Sequence, residues 1–231
     1  MEREVDQVNP LNIPRPPTAF MRLVCGDRPA LEAHFHEVGT ELVRWLRAFG
    51  LLGSEVAFLD VGCGCGRIAH SLVNEPLRAY VGFDRHPAMI RWCQQEITSR
   101  APNFQFHWFD IKSSYGKIDG HPGSIEACSF VFPFREDEFD TCFASSVFTH
   151  MPISEVNHYL GEIHRVVRPG GRVFLSIFCS GRAPYSRDGN YCHSREKFIA
   201  TVEQSGFLWE KKGPEVYGEE HNWYLLTRPH R

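Results

Sequence analysis

Phe58-Leu59-Asp60-Val61-Gly62-Cys63-Gly64-Cys65-Gly66-Arg67 is the stretch on which the fold turns. An apolar run, Val56 to Val61, stops at three glycines spaced one residue apart, and Ile68, Ala69, Leu72 and Val73 then recur at helical intervals. The pattern predicts a buried strand, a tight turn and a helix. Glycine has no Cβ, so it accepts positive φ and lets a ligand lie against the main chain. The helix behind the turn aims its free N–H groups at whatever occupies it. The stretch therefore predicts a place for a polar small molecule at the carboxyl end of a strand.

Spacing narrows the choice of molecule. A dinucleotide fingerprint needs Gly-x-Gly-x-x-Gly, and Arg67 stands where its third glycine would fall. A Walker A loop needs Gly-Lys-Ser/Thr, and the turn has no lysine. The pattern Asp-x-Gly-x-Gly-x-Gly, residues 60–66, resembles motif I of the class I S-adenosylmethionine-dependent methyltransferases.

The rest of the chain is consistent with one large domain. It has 231 residues, 42% of them hydrophobic, and 25 Lys and Arg against 28 Asp and Glu, for a formal charge of −3. That length supports a substantial core. With no long basic run, a broad electrostatic footprint for nucleic acid is disfavoured. The eight cysteines show no Cys-x-x-Cys and no zinc-type spacing with histidine, so no metal site is expected. Met1–Asn9 is charged and lacks an apolar segment, so no signal peptide is expected. No stretch has the length of a membrane span. These features predict a cytoplasmic protein.

Punctuation along the chain sets the elements. Residues 1–19, with Pro10, Pro14, Pro16 and Pro17, read as an extended arm. We divide the chain into residues 1–28, an arm or lid, and 29–231, the main domain. Pro29 to Phe49 suits an amphipathic helix through Leu31, Phe35, Val38, Leu42, Val43, Trp45 and Leu46. Ala79–Phe83 reads as strand two, ending at Asp84, and Pro87 opens a helix to about Thr98. Phe104–Phe109 and Phe139–Ala144 are strands three and four. Ile153–Val167 is a helix stopped by Pro169-Gly170-Gly171. Arg172–Cys179 is strand five, Arg195–Gln204 a helix, and Phe207–Lys211 and Trp223–Thr227 two closing strands. Alternating strands and helices predict parallel βαβ units with both sheet faces covered. In such a sheet the glycine turn, Asp84, Asp110 and the Ala144–His150 segment share one rim.

Each rim residue has a chemical reading and a plain one. Asp84 is placed to accept hydrogen bonds from ribose hydroxyls; otherwise it caps the helix begun at Pro87. Asp110 is placed to accept from an adenine amino group beside Phe109; otherwise it is a loop carboxylate. Asp60, inside the strand end, needs partners if buried, and the turn's N–H groups are the expected ones. Cys63 and Cys65 read as small turn residues.

The resemblance extends beyond motif I. Phe132-Pro133-Phe134 with Phe139-Asp140, then Ser145-Ser146-Val147-Phe148-Thr149-His150-Met151, then Glu162-Ile163-His164-Arg165-Val166-Val167-Arg168-Pro169-Gly170-Gly171-Arg172 resemble the later motifs of the same family. The resemblance covers roughly residues 38–228 and specifies fold and cofactor, not acceptor. It implies a Rossmann-like three-layer α/β sandwich whose seven-stranded, mostly parallel sheet has its last strand antiparallel. It implies S-adenosyl-L-methionine as cofactor. Gly62, Gly64 and Gly66 would line its methionine part, and Cys63 is a further cofactor-binding residue. Asp84 would serve the ribose and Asp110 the adenine, with Arg85 and Ile111 as further cofactor-binding residues. Asp60 would shape the pocket, and Ala144 would offer a carbonyl to the methionine amino group.

Methyl transfer needs a base only if the acceptor loses a proton. His150, just past strand four, is the leading catalytic residue; its plain reading is a helix-start histidine packed beside Met151. His164 reads as structural, and His34, His36, His193 and His221 are open as acceptor-pocket neighbours. The 111–131 insert and the 180–194 aromatic loop are candidate pocket walls. A small-molecule acceptor with oxygen or nitrogen as nucleophile is the expected substrate. RNA or protein acceptors are weakened by the missing basic stripe and by the absence of Asn/Asp-Pro-Pro-Tyr/Phe after strand four. A non-catalytic cofactor-binding partner subunit would be expected to have a damaged glycine turn, and this turn is intact. A homodimer is left open.

Overall fold

Strand β1 (Ala57–Val61) is buried at every position and forms the spine of the molecule. The computed structural model describes residues 11–114, 122–181, 183–187, 189–211 and 221–230. Residues 1–10 of the arm, 115–121 of the insert, and 182 and 188 of the aromatic loop lie outside the described residues. The other strands are β2 (Ala79–Asp84), β3 (Phe104–Trp108), β4 (Phe139–Ala144), β5 (Val167–Ser180), β6 (Tyr185–Arg187), β7 (Asn190–Ser194), β8 (Leu208–Lys211) and β9 (His221–Thr227). The helices are α1 (Thr18–Cys25), α2 (Leu31–Ala48), α3 (Arg67–Leu72), α4 (Pro87–Cys93), α5 (Ile153–Val166) and α6 (Arg195–Gln204).

The described strands form a nine-stranded sheet: seven follow the order β3-β2-β1-β4-β5-β9-β8, and β7 with β6 joins at the end of β5. The first five run parallel. Strand β9 is antiparallel to both β5 and β8. The expected Rossmann-like architecture, with its last strand reversed, is the one observed. The alternation of side chains along β1 explains the two cores. Ala57, Leu59 and Val61 face α5 and α6 in one apolar cluster, while Phe58 faces α2, α3 and α4 in the other. Pairing of Phe58 with Tyr80 and of Tyr80 with Phe104 builds a stacked aromatic row across three strands, with ring centroids 5.8 and 4.8 Å apart. A fully buried ring contributes about 1.5–3 kcal/mol, so this row anchors the sheet beneath the glycine turn.

Three expectations are corrected. Helix α1 begins at Thr18, inside a stretch read as extended; eight residues behind Pro16-Pro17 give too short a period to detect. The 180–194 loop is instead the hairpin β6–β7, whose Cys192–Arg187 side pairs antiparallel and whose His193 and Ser194 pair parallel with Cys179 and Ser180 of β5. Strand β5 starts at Val167 rather than Arg172: the Arg168–Gly171 turn is absorbed as a register shift against β4, with Gly170 at φ +75°. No described helix is long and apolar enough to cross a membrane.

Candidate active site

The glycine turn hangs from the end of β2. Both Gly62 N and Cys63 N donate to Phe83 O, at 2.9 and 3.0 Å. Gly64 N donates to Asp84 Oδ2 and His86 N donates to Asp84 Oδ1, each at 2.8 Å. Asp84 thus clasps the turn from one side and orders the entrance to α4 from the other. The helix cap itself is His86, whose Nδ1 accepts from Met89 N at 3.3 Å, so the capping alternative for Asp84 is replaced by this neighbour. Burial raises the Asp84 carboxyl, while the His86 and Gly64 N–H groups lower it. A carboxylate has about four lone-pair sites, so two remain for a ligand's hydroxyls.

The bareness of the turn also serves protein packing. Gly62 sits at φ +71°, and a Cβ there would lie 2.4 Å from Val147 Cγ2. Gly66 sits at φ +75° as the N-cap of α3, and a Cβ there would come within 2.8 Å of Ile97 Cδ1. Asp60 does not bond to the turn as expected. Tyr80 Oη donates to its Oδ2 from the aromatic row below. Burial raises the Asp60 carboxyl to about 7, partly opposed by Tyr80 and Arg67 and reinforced by Asp84.

A cleft at the carboxyl ends of the strands gathers these groups. Of the sequence-predicted residues, Asp60, Gly62, Cys63, Gly64, Asp84, Arg85, Ile111 and His150 line it. Gly66, Asp110 and Ala144 are not among the lining residues. Gly66 is turned into the α3 cap. Asp110 accepts from Ser124 Oγ at 2.6 Å and its carbonyl from Ser124 N and Ile125 N, so it ties down the insert. Ala144 is fully buried behind Ser145. Arg85 Nε donates to Ile111 O at 3.1 Å, joining the ends of β2 and β3.

His150 lies on a single 3-10 turn, Phe148–His150. Its Nδ1 is 3.2 Å from Gly189 O at the hairpin tip, and Ser114 Oγ stands 2.9 Å from Gly189 O and 2.8 Å from His150 O, its single proton shared between the two carbonyls. A carbonyl only accepts, so Nδ1 carries the proton and the neutral ring's lone pair is on Nε2. Burial lowers the His150 pKa, against the raising effect of the Gly189 carbonyl, which favours the neutral form at pH 7. The backbone just before it is strained: Ser146, a non-glycine residue, has φ +58° and is held by its N–H to Ser176 Oγ at 2.8 Å.

The 1–28 segment is expected as an arm or lid, but its helical form at the cleft, with Leu23 and Val24 as lining residues, and the residue after the turn are not read from the sequence. Leu23 and Val24 line the cleft, and Val24 Cγ2 would lie 3.2 Å from a Cβ on Gly64. Phe20 packs edge-on against His86, with ring centroids 5.8 Å apart. The signal was the spacing of Phe20, Met21, Val24 and Cys25, which marks one helical face. Arg67, noticed only as a mismatch to a dinucleotide motif, lines the same cleft.

Residues 59–175, just over half of the chain, match the family model described as methyltransferase domain. The chain belongs to this methyltransferase family. A tRNA (guanine-N(7)-)-methyltransferase of Rubrobacter xylanophilus is 27% identical over 184 residues, covering 74% of this chain and 76% of that one. Two solved structures share the fold. The cyclase SpnF superposes with a TM-score of 0.60 at 18% identity, over 82% of this chain and 80% of SpnF. A Methanosarcina mazei S-adenosylmethionine-dependent methyltransferase superposes with a TM-score of 0.58 at 16% identity, over 80% and 98%. The protein is a methyltransferase that uses S-adenosylmethionine. The cleft fits that cofactor chemically: a main-chain cradle, a buried carboxylate with acceptor capacity to spare for a ribose, and a second carboxyl for a positive charge.

Proposed function

We propose that this methyltransferase acts on an oxygen or nitrogen of a small-molecule acceptor, with His150 taking the acceptor's proton. The observation that carries the reading is the contact of Gly189 with His150, a residue that lines the cleft. It fixes the tautomer and seats the ring where the hairpin tip and the insert meet. The bound cofactor supplies an electrophilic methyl on a sulfonium. The chain's own work is then alignment and proton removal. Gly62, Cys63 and Gly64 would border the methionine part, Asp84 and Arg85 the ribose, and Ile111 an edge of the adenine, while Gly66, Asp110 and Ala144 would support those contacts from behind. His150 accepts a proton at Nε2, and its positive charge is eased by the Gly189 carbonyl.

Residues 1–28 are read as a lid and 29–231 as the catalytic domain. Three contacts of α1 support this: Phe20 on His86, Val24 over Gly64, and Cys25 beside Arg67. Deleting residues 1–22 is expected to weaken cofactor binding; unchanged affinity would reject the lid.

A small acceptor suits a cleft walled by α1 on one side and by the segment after β4, from Ser145 to Met151, on the other. The acidic balance, −3 overall, gives a polyanion little general attraction. The Rubrobacter relative's name specifies tRNA, and the two classes separate in one assay. Methyl-labelled cofactor is supplied with either a fractionated metabolite extract or bulk tRNA. Label in the low-molecular-mass fraction is expected; label confined to tRNA would overturn the reading.

A further inference from the structure

Ser176 places a hydroxyl in the middle of an apolar strand. Its β5 neighbours Val173, Phe174, Leu175 and Ile177 are fully buried, and so is Ser176 itself. A buried hydroxyl is costly unless it is hydrogen-bonded. Among the described residues its partner is Ser146, whose main-chain N–H donates to Ser176 Oγ at 2.8 Å. Ser146 stands in the left-handed region at φ +58°. Serine has no intrinsic preference for that conformation and keeps it only where the surroundings impose it.

The strained residue belongs to the segment that walls the cleft: Ser145, Ser146, Val147, His150 and Met151 all line it. That segment is tied to itself. Thr149 Oγ1 donates to Ser146 O at 2.9 Å, and His150 N donates to Val147 O at 3.0 Å. Whatever sets the backbone at Ser146 is thereby passed on to His150. Val147 in between lies against the glycine turn, where a Cβ on Gly62 would come within 2.4 Å of its Cγ2. Relaxation of Ser146 to an ordinary φ would swing this stiff unit and draw the His150 ring away from Gly189 O, which its Nδ1 meets at 3.2 Å.

We propose that Ser176 is a positioning residue for methyl transfer: its hydroxyl holds Ser146 left-handed and thereby aims the His150 ring at the acceptor. The inference rests on the reading of His150 as the base. It goes further by placing the origin of that aim inside the sheet, in a residue that does not itself line the cleft.

Two readouts on the full chain test this. The nitrogen NMR signals of the His150 ring, assigned by their loss in His150→Gln, report which ring nitrogen carries the proton and need no acceptor. The rate of label transfer from saturating methyl-labelled S-adenosylmethionine is read in whichever fraction, metabolite extract or tRNA, the wild type labels. The wild type is expected to show Nδ1–H alone. Ser176→Ala is expected to show a mixture of both tautomers and a rate lower by about tenfold or more. Glycine takes positive φ without help, so Ser146→Gly with Ser176→Ala is expected to regain the single tautomer and most of the rate. Melting temperatures check folding; should Ser176→Ala not fold, Ser176→Cys, which keeps only a weak acceptor, is read in its place. An unchanged tautomer in Ser176→Ala would overturn the proposal, and so would a double variant that stays mixed and slow. A rate loss of the same size when Ser176→Ala is added to His150→Gln would also overturn it, because Ser176 would then act elsewhere. Failure of the underlying reading looks different: His150→Gln would transfer label as fast as the wild type, whatever the tautomers show.

Discussion

The main-chain N–H of Gly64 donates to Asp84 Oδ2 at 2.8 Å, across a sequence separation of 20 residues. That bond joins the turn to the carboxylate expected to hold the ribose, so one side chain both shapes the cradle and contacts the ligand. Asp84→Ala is expected to weaken S-adenosylhomocysteine binding by about 2–3 kcal/mol, some 30- to 150-fold. His150→Ala should move that affinity far less. Calorimetry on the two variants checks the order, and a reversed order would remove Asp84 as the principal contact.

His150→Gln is expected to lower kcat by about 100- to 10,000-fold while leaving cofactor affinity in place. Burial lowers the His150 pKa below its ordinary 6.5, so the neutral base persists into mildly acidic solution. Wild-type kcat should therefore hold at pH 6.5 and drop only on further acidification, and His150→Gln should lack that acidic limb. Full activity of the variant would retire His150 as base.

Asp60 adds a pH dependence of opposite sense. Its carboxyl is raised to about 7 from 3.8. Between those values the folded chain holds a proton that the unfolded chain has released, so this group makes stability fall as pH rises across the window. A cationic ligand favours the carboxylate, so binding expels the proton and affinity rises with pH through about 7. Asp60→Asn should flatten both slopes. Thermal melts and titrations at about pH 5 and about pH 8 test this, and a pH-independent wild-type affinity would contradict it.

Gly62→Ala should destabilise the fold by about 1–3 kcal/mol, because it meets Val147 Cγ2 and a positive φ together. Adding Val147→Ala relieves the overlap but not the backbone strain, so the double variant should regain only part of the lost Tm. Full recovery would show that crowding alone demands glycine there.

How much of this was legible depends on the range of the interaction. The places of β1 to β4 along the chain follow from apolar runs ending near Gly62, Asp84, Asp110 and Ala144, because burial and strand ends leave local marks. The direction of Asp84's oxygens did not, since they are set by Gly64 and His86 across a turn. Asp60's partner was missed for the same reason: Tyr80 stands opposite the strand only once β1 and β2 pair. Helix α1 was too short for its periodicity to stand out, whereas the hairpin β6–β7 was legible and overlooked: the sequence Asp188-Gly189 between the paired Arg187 and Asn190 is a standard two-residue hairpin signal.

The Asp60 carboxyl rests on Tyr80, and Tyr80 is sealed between Phe58 and Phe104. Among the described residues its floor is closed by these buried rings, and the cleft it lines is its exit. A seated nucleoside stoppers that exit, so the departing proton must escape before the door shuts. The rate at which ligand enters, and not only how tightly it is kept, should then quicken in alkaline solution.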